Sequence, residues 1–116
     1  MTDSQIDARH FRNVLGHFPT GVTVVTGLDS AGAPHAITIG SFVSVSLDPP
    51  LVGFLPGTAS KSWQAIAESG SFCVNILAAG QDELCWKFAK EPAVGETSKF
   101  AGVDWTASAT GSPILP

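Results

Sequence analysis

Thr38-Ile39-Gly40-Ser41-Phe42-Val43-Ser44-Val45-Ser46-Leu47-Asp48-Pro49-Pro50-Leu51-Val52 reads as two extended pieces separated by a sharp break. Thr38, Ser41, Ser44 and Ser46 place four hydroxyls on a stretch otherwise suited to a buried strand. A plain core strand would carry Val, Ile or Leu there, because a buried hydroxyl without a partner costs free energy. A polar, planar ligand lying against the strand is one economical partner. An edge strand whose hydroxyls face water is the other. Gly40 marks a bend or bulge, so Phe42–Leu47 is expected as a second extended segment. Asp48-Pro49-Pro50 ends it, since two prolines force an extended backbone and remove ladder donors. Leu51-Val52-Gly53-Phe54-Leu55 then predicts a short buried strand.

Upstream, Phe11, Val14, Leu15 and Phe18 follow the spacing of an amphipathic helix. That helix is expected from about Ser4 to Phe18, stopping before Pro19 and Gly21. Val22-Thr23-Val24-Val25-Thr26 is β-branched throughout and predicts a strand. The turn cluster Asp29-Ser30-Ala31-Gly32-Ala33-Pro34 folds His35–Ile39 back onto it as a hairpin. Downstream, Ser60–Glu68 predicts a helix with Trp63, Ile66 and Ala67 inward and Gly70 as its stop. Phe72–Leu77 predicts a strand, and Gln81–Ala89 a short helix with Leu84, Cys85 and Phe88 on one side. Residues 90–104 read as polar loop. This order of elements lacks a βαβ rhythm and predicts a mainly β, α+β fold or small barrel.

With 116 residues, the chain reads as a single domain, 1–116. Charged residues are 14% of it, against roughly 25% in an ordinary domain. So few charges on a small domain predict that part of its surface is covered in an oligomer. The net charge of −4, with six Lys and Arg, shows no basic stripe and argues against a nucleic-acid partner. No apolar run approaches the roughly 20 residues that span a membrane. The N-terminus has no signal-peptide pattern, which points to the cytoplasm. Cys73 and Cys85 are expected as small buried hydrophobes rather than a disulfide or metal pair. No metal-spaced cluster, paired carboxylates, Ser-His-Asp set or glycine-rich nucleotide loop is present, and His10, His17 and His35 are scattered.

Ser-Phe-Val-Ser-Val-Ser-Leu-Asp-Pro-Pro-Leu-Val (41–52) resembles the signature of the short-chain flavin reductases. Phe18-Pro19-Thr20-Gly21-Val22 is similar to that family's entry to its first strand, and Phe72–Leu77 to its Phe-x-Val-Asn-x-Leu motif. Phe88 and Lys99-Phe100 resemble two further segments near the family's flavin edge. The resemblance runs from about Phe11 to Pro116 and covers the first part of the family domain. It implies an FMN-binding split β-barrel of Greek-key type with short peripheral helices, its C-terminal strands missing from this chain.

The resemblance further implies NAD(P)H-dependent reduction of FMN or FAD, a homodimer, and a partner monooxygenase that receives reduced flavin. Flavin contacts fall on Thr38, Ile39, Gly40, Ser41, Ser44 and Val45. Many relatives carry Asn where Gly40 stands, so one amide contact is absent here. Ser60, Lys61 and Ser62 match the family's phosphate-holding segment, and free N–H groups at a helix start suit an anion. An ordinary N-cap, with Ser60 or Thr58 as the cap, explains the segment too, and the two roles are compatible. Asn75 lies near the flavin in relatives, and a structural hydrogen bond accounts for it equally well. No side chain is assigned a catalytic role, because hydride passes directly between nicotinamide and flavin rings that the protein positions. A flavin-binding protein without catalysis is the alternative, since the family's nicotinamide-contacting Gly-Asp-His segment has no match here. A pyridoxamine-phosphate-oxidase-like relative ranks last, lacking that family's basic phosphate ligands.

Overall fold

The computed structural model describes residues 5–90 and 98–116. In chain order its elements are α1 (Ala8–Leu15), β1 (Thr23–Leu28), β2 (Pro34–Ile39), β3 (Val43–Ser46), β4 (Leu51–Gly53), α2 (Lys61–Ser69), β5 (Cys73–Ile76), α3 (Asp82–Ala89), β6 (Thr106–Ala107) and β7 (Pro113–Ile114). They form an α+β fold. The main sheet is antiparallel, with β1 central between β2 and β5. Thr23 pairs with Ile39 on one side and Ile76 on the other, and Val24 pairs with Thr38 and Asn75. The predicted turn closes the β1–β2 hairpin. Asp29 Oδ1 accepts the N–H groups of Ala31 and Ala33, each at 2.9 Å, and Oδ2 meets His35 Nε2 at 2.8 Å. Bonding from His35 and then from the Ala33 N–H holds the Asp29 carboxyl below its ordinary range.

Side chains alternate along β1, so the strand feeds two packed layers. On one face Val24 joins Ala36, Phe88, Phe100 and Leu115 in the buried core, with Leu77, Leu84, Val103 and Trp105 against it. On the other, Gly27 lies under α2. A Cβ at Gly27 would stand 2.7 Å from Ile66 Cγ2 and 3.1 Å from the Ser71 carbonyl oxygen. Glycine is therefore the residue that lets α2 approach the sheet. Gly27→Ala is expected to lose about 1–3 kcal/mol through overpacking. Urea denaturation would measure it, and an unchanged midpoint would contradict this packing.

Both caps predicted for α2 are present. Ser60 Oγ accepts the Trp63 N–H at 3.1 Å, and Gly70 adopts φ 78° at the C-terminus. At α1 the cap is Asp7, and the expected start at Ser4 lies outside the described residues. None of the α1 residues is buried, and the apolar face of Phe11, Val14 and Leu15 stands open.

Three sequence expectations need correction. Leu51–Leu55 is not a buried strand: pairing stops at Gly53, Leu51 and Val52 are half exposed, and Leu55 is 83% exposed. Nor do the described residues form a closed barrel. The hairpin β3–β4 pairs only with itself, as does β6–β7. Finally, Cys73 and Cys85 are half-buried free thiols rather than fully buried ones. Within β3–β4 the register shifts between Ser44 and Ser46, a bulge at Val45. The Asp48–Pro49 peptide at its tip is cis. No helix among the described residues is long and apolar enough to cross a membrane.

Candidate functional site

The β1–β2 register brings two glycine-bearing links together. Thr23 opposes Ile39, so the residues just outside the ladder, Val22 and Gly21 on one strand and Gly40 and Ser41 on the other, face one another. Between these links opens a cleft of about 440 Å³, lined by Phe18, Pro19, Thr20, Gly21, Val22, Thr23, Gly40, Ser41, Phe42 and Ile76. That volume lies within the roughly 300–1,000 Å³ of small-molecule sites. Its walls are mixed. Phe18 and Ile76 expose 74% and 75% of their surface, while Thr20 and Ser41 bring hydroxyls. Ser41 Oγ accepts the Leu55 N–H at 2.8 Å, which leaves its own hydrogen free to donate.

That Ser41–Leu55 bond ties the cleft to the loop leading into α2. The loop tightens through the Ser60 N–H to Gly57 carbonyl bond of 3.1 Å. Beneath it Phe54 meets Trp63 and Phe72 edge to face, with ring centroids 5.2 and 5.3 Å apart. Trp63 is thus a packing residue, and the cluster fixes where α2 begins. Lys61, the first residue of α2, is exposed, and Ser60 and Ser62 flank it half-buried. The start of a helix with a cation beside it favours an anion.

The remaining sequence-selected residues divide. Ile39 is buried at the end of β2, one residue before the cleft. Ser44 and Val45 are exposed on the β3–β4 hairpin and do not line the cleft. The polar groups of Thr38 and Asn75 are committed to the scaffold. Thr38 Oγ1 donates to the Cys85 carbonyl of α3 at 2.8 Å. Asn75 Nδ2 donates to the Val24 carbonyl at 3.1 Å and to Thr26 Oγ1 at 3.3 Å, and Oδ1 accepts the Leu115 N–H at 2.9 Å. Lys99 Nζ likewise bonds the carbonyls of Ala36 and Phe88, at 3.3 and 3.2 Å. The hydroxyl at 38 and the amide at 75 are thus both engaged in internal bonds.

Residues 15–116 match the flavin reductase like domain. The chain belongs to the flavin reductase-like domain family. It is 51% identical over 110 residues to the reductase subunit HsaB of a flavin-dependent monooxygenase from Rhodococcus jostii, covering 95% of this chain and 54% of that protein. To the FMN reductase (NADH) SmoA of Agrobacterium fabrum it is 41% identical, covering 95% of this chain and 60% of that one. Among solved structures, nitrilotriacetate monooxygenase component B from Mycobacterium thermoresistibile superposes with a TM-score of 0.81 at 48% identity. That match covers 92% of this chain and 57% of the other. The chain therefore spans little more than half the length of these relatives.

A flavin suits the residues present. The cleft offers an amphipathic slot with hydroxyl donors, and the absence of a Cβ at Gly40 keeps it open: such an atom would lie 3.1 Å from Thr20 Oγ1. The start of α2 offers N–H groups and Lys61. Phe18, Thr20 and Ile76 are cleft residues that lie within quoted motifs, yet the sequence assigns none of them to the flavin. For the first two a signal exists: a hairpin centred on Asp29–Ala33 sets residues 20–22 opposite the Gly40–Phe42 link.

Proposed function

We propose that this chain is a single flavin reductase-like domain that binds FMN or FAD and reduces it with NADH or NADPH. The reduced flavin would serve a partner monooxygenase. Supporting this reading is the conjunction of family membership with an open hydroxyl-lined cleft that one hydrogen bond, Ser41 to Leu55, couples to the start of α2. The relatives named as monooxygenase reductase subunits and as an NADH-dependent FMN reductase point the same way. The three separate sheets read as parts of a split barrel. The exposed apolar side chains of α1 and of both strands of β3–β4 suit a homodimer contact.

Bound flavin would supply the hydride-accepting ring. The chain's own part is to bind and orient. Main-chain groups of Ile39, Gly40 and Ser41 border the ring, and the Ser41 hydroxyl donates to its polar edge. Ser60, Lys61 and Ser62 hold the phosphate at the start of α2. Ser44 and Val45 would approach the ring from the hairpin, and Thr38 and Asn75 act as scaffold. No side chain need transfer a proton or form a bond. Rate would then come from positioning flavin and nicotinamide for direct hydride transfer.

Lys61→Ala separates the phosphate role from simple capping. It should weaken FMN on the order of tenfold, the size of one charge-assisted hydrogen bond, and leave riboflavin binding unchanged. Fluorescence-quenching titrations with both flavins measure this. Equal losses for the two would contradict the assignment.

A further inference from the structure

Glycine at position 40 is not demanded by the backbone. Its φ lies outside the left-handed region, unlike those of Gly32, Gly70, Gly80, Gly102 and Gly111. What glycine provides there is space, because a Cβ would stand 3.1 Å from Thr20 Oγ1 and 3.9 Å from the Gly21 carbonyl oxygen. Thr20 is exposed, and its hydroxyl makes no hydrogen bond to another described residue. It borders the cleft together with Ser41, whose hydroxyl hydrogen is free. Two donors thus share a slot walled by Phe18, Phe42 and Ile76. Apolar walls with donors along one edge fit a flat heteroaromatic ring whose rim carries acceptor oxygens and nitrogens.

We propose that Thr20 is a ring-contacting residue that donates its hydroxyl to an acceptor on the rim of the bound flavin, and that Gly40 determines affinity by leaving that hydroxyl uncovered. This rests on the flavin reading above. It adds a contact from the link between α1 and β1, where the residues selected from sequence lie on β2, the β2–β3 link, β3, the start of α2 and β5. The contact is with the ring and not the phosphate, so it makes no distinction between FMN and riboflavin. In that respect it is the opposite of Lys61.

Quenching titrations of the full chain with FMN and with riboflavin test it. Thr20→Val keeps the shape and removes the donor. It should weaken both flavins by the same factor, roughly 3- to 10-fold, as expected for one hydrogen bond. Thr20→Ser should bind like the wild type. Gly40→Ala should weaken both flavins similarly, and should add little in a Thr20→Val background, since the two changes act on one contact. Thr20→Val binding like wild type, or Gly40→Ala costing as much without the hydroxyl as with it, would overturn the proposal. A Thr20→Val loss confined to FMN would overturn it too. Wild-type protein that quenches neither flavin would instead defeat the flavin reading itself, and this proposal with it. Circular dichroism of each variant confirms folding. If Thr20→Val does not fold, Thr20→Ala decides: equal weakening of both flavins supports the contact, and wild-type binding overturns it.

Discussion

Phe88→Ala is expected to destabilise the protein by about 3–5 kcal/mol, the cost of emptying an aromatic site in a packed core. The ring is fully buried, and its centroid lies 4.8 Å from that of Phe100. Around it close Val24 of β1, Ala36 of β2 and Leu115 beyond β7. Phe88 thereby joins α3 to the hairpin and to the chain's last residues. A domain of this size has about 5–15 kcal/mol of stability in total, so the loss is a large fraction of it. The damage would reach the site as well. The α3 helix supplies the Cys85 carbonyl that receives the Thr38 hydroxyl, two residues before Gly40. Urea denaturation followed by tryptophan fluorescence gives the number. Phe88→Leu, which leaves a smaller cavity, should lose less. An alanine variant within about 1 kcal/mol of wild type would mean that α3 is not packed against the sheet as described.

The second large effect is at Asn75. Asn75→Ala is expected to cost about 2–3 kcal/mol, because it leaves the Leu115 N–H without its acceptor and removes donors to Val24 and Thr26. Those bonds pin the C-terminal segment to β5, alongside the Thr26 hydroxyl that donates to the Pro113 carbonyl. Asn75→Asp tests the direction of the hydrogen bonds. A carboxylate still accepts from Leu115 but turns its second oxygen on the Val24 carbonyl, which disfavours the charged form and raises its pKa in the folded state. A raised pKa contributes stability at low pH that is lost as pH rises through it. The deficit of the aspartate variant relative to wild type should therefore be largest near neutral pH and shrink as pH falls through the raised pKa toward about 4, since a protonated carboxyl can donate again. A deficit independent of pH would contradict the donor role of Asn75 Nδ2.

Position 75 also separates what is legible in the sequence from what is not. An amide in an apolar strand announces that it has a partner. Which partner is a matter of tertiary distance: the acceptor bond from Leu115 spans 40 residues, and the Thr38 bond to Cys85 spans 47. A one-dimensional reading sees the anomaly and leaves a ligand and a structural partner equally open. Local signals carry further. The β-branched run of β1, the Asp29 turn, the Ser60 cap and the Gly70 stop depend on neighbours a few residues away, and each stands where the sequence predicts it. Burial of the β3–β4 hairpin is not legible in this way. Apolar residues alternating with serine satisfy the strand pattern whether or not anything covers them, and here nothing among the described residues does. Of the cleft, Gly40 and Ser41 follow from motif as flavin contacts, whereas the place of Phe18, Thr20 and Ile76 beside them follows only from register and β5 pairing.

Flavin reduction itself is tested most directly by the rate of NADH and NADPH oxidation by this chain, of verified mass, with and without added FMN or FAD. The expected result is oxidation that depends on flavin and saturates with it. Protein that neither turns over with any flavin and nicotinamide pair nor quenches flavin fluorescence would contradict the proposed function.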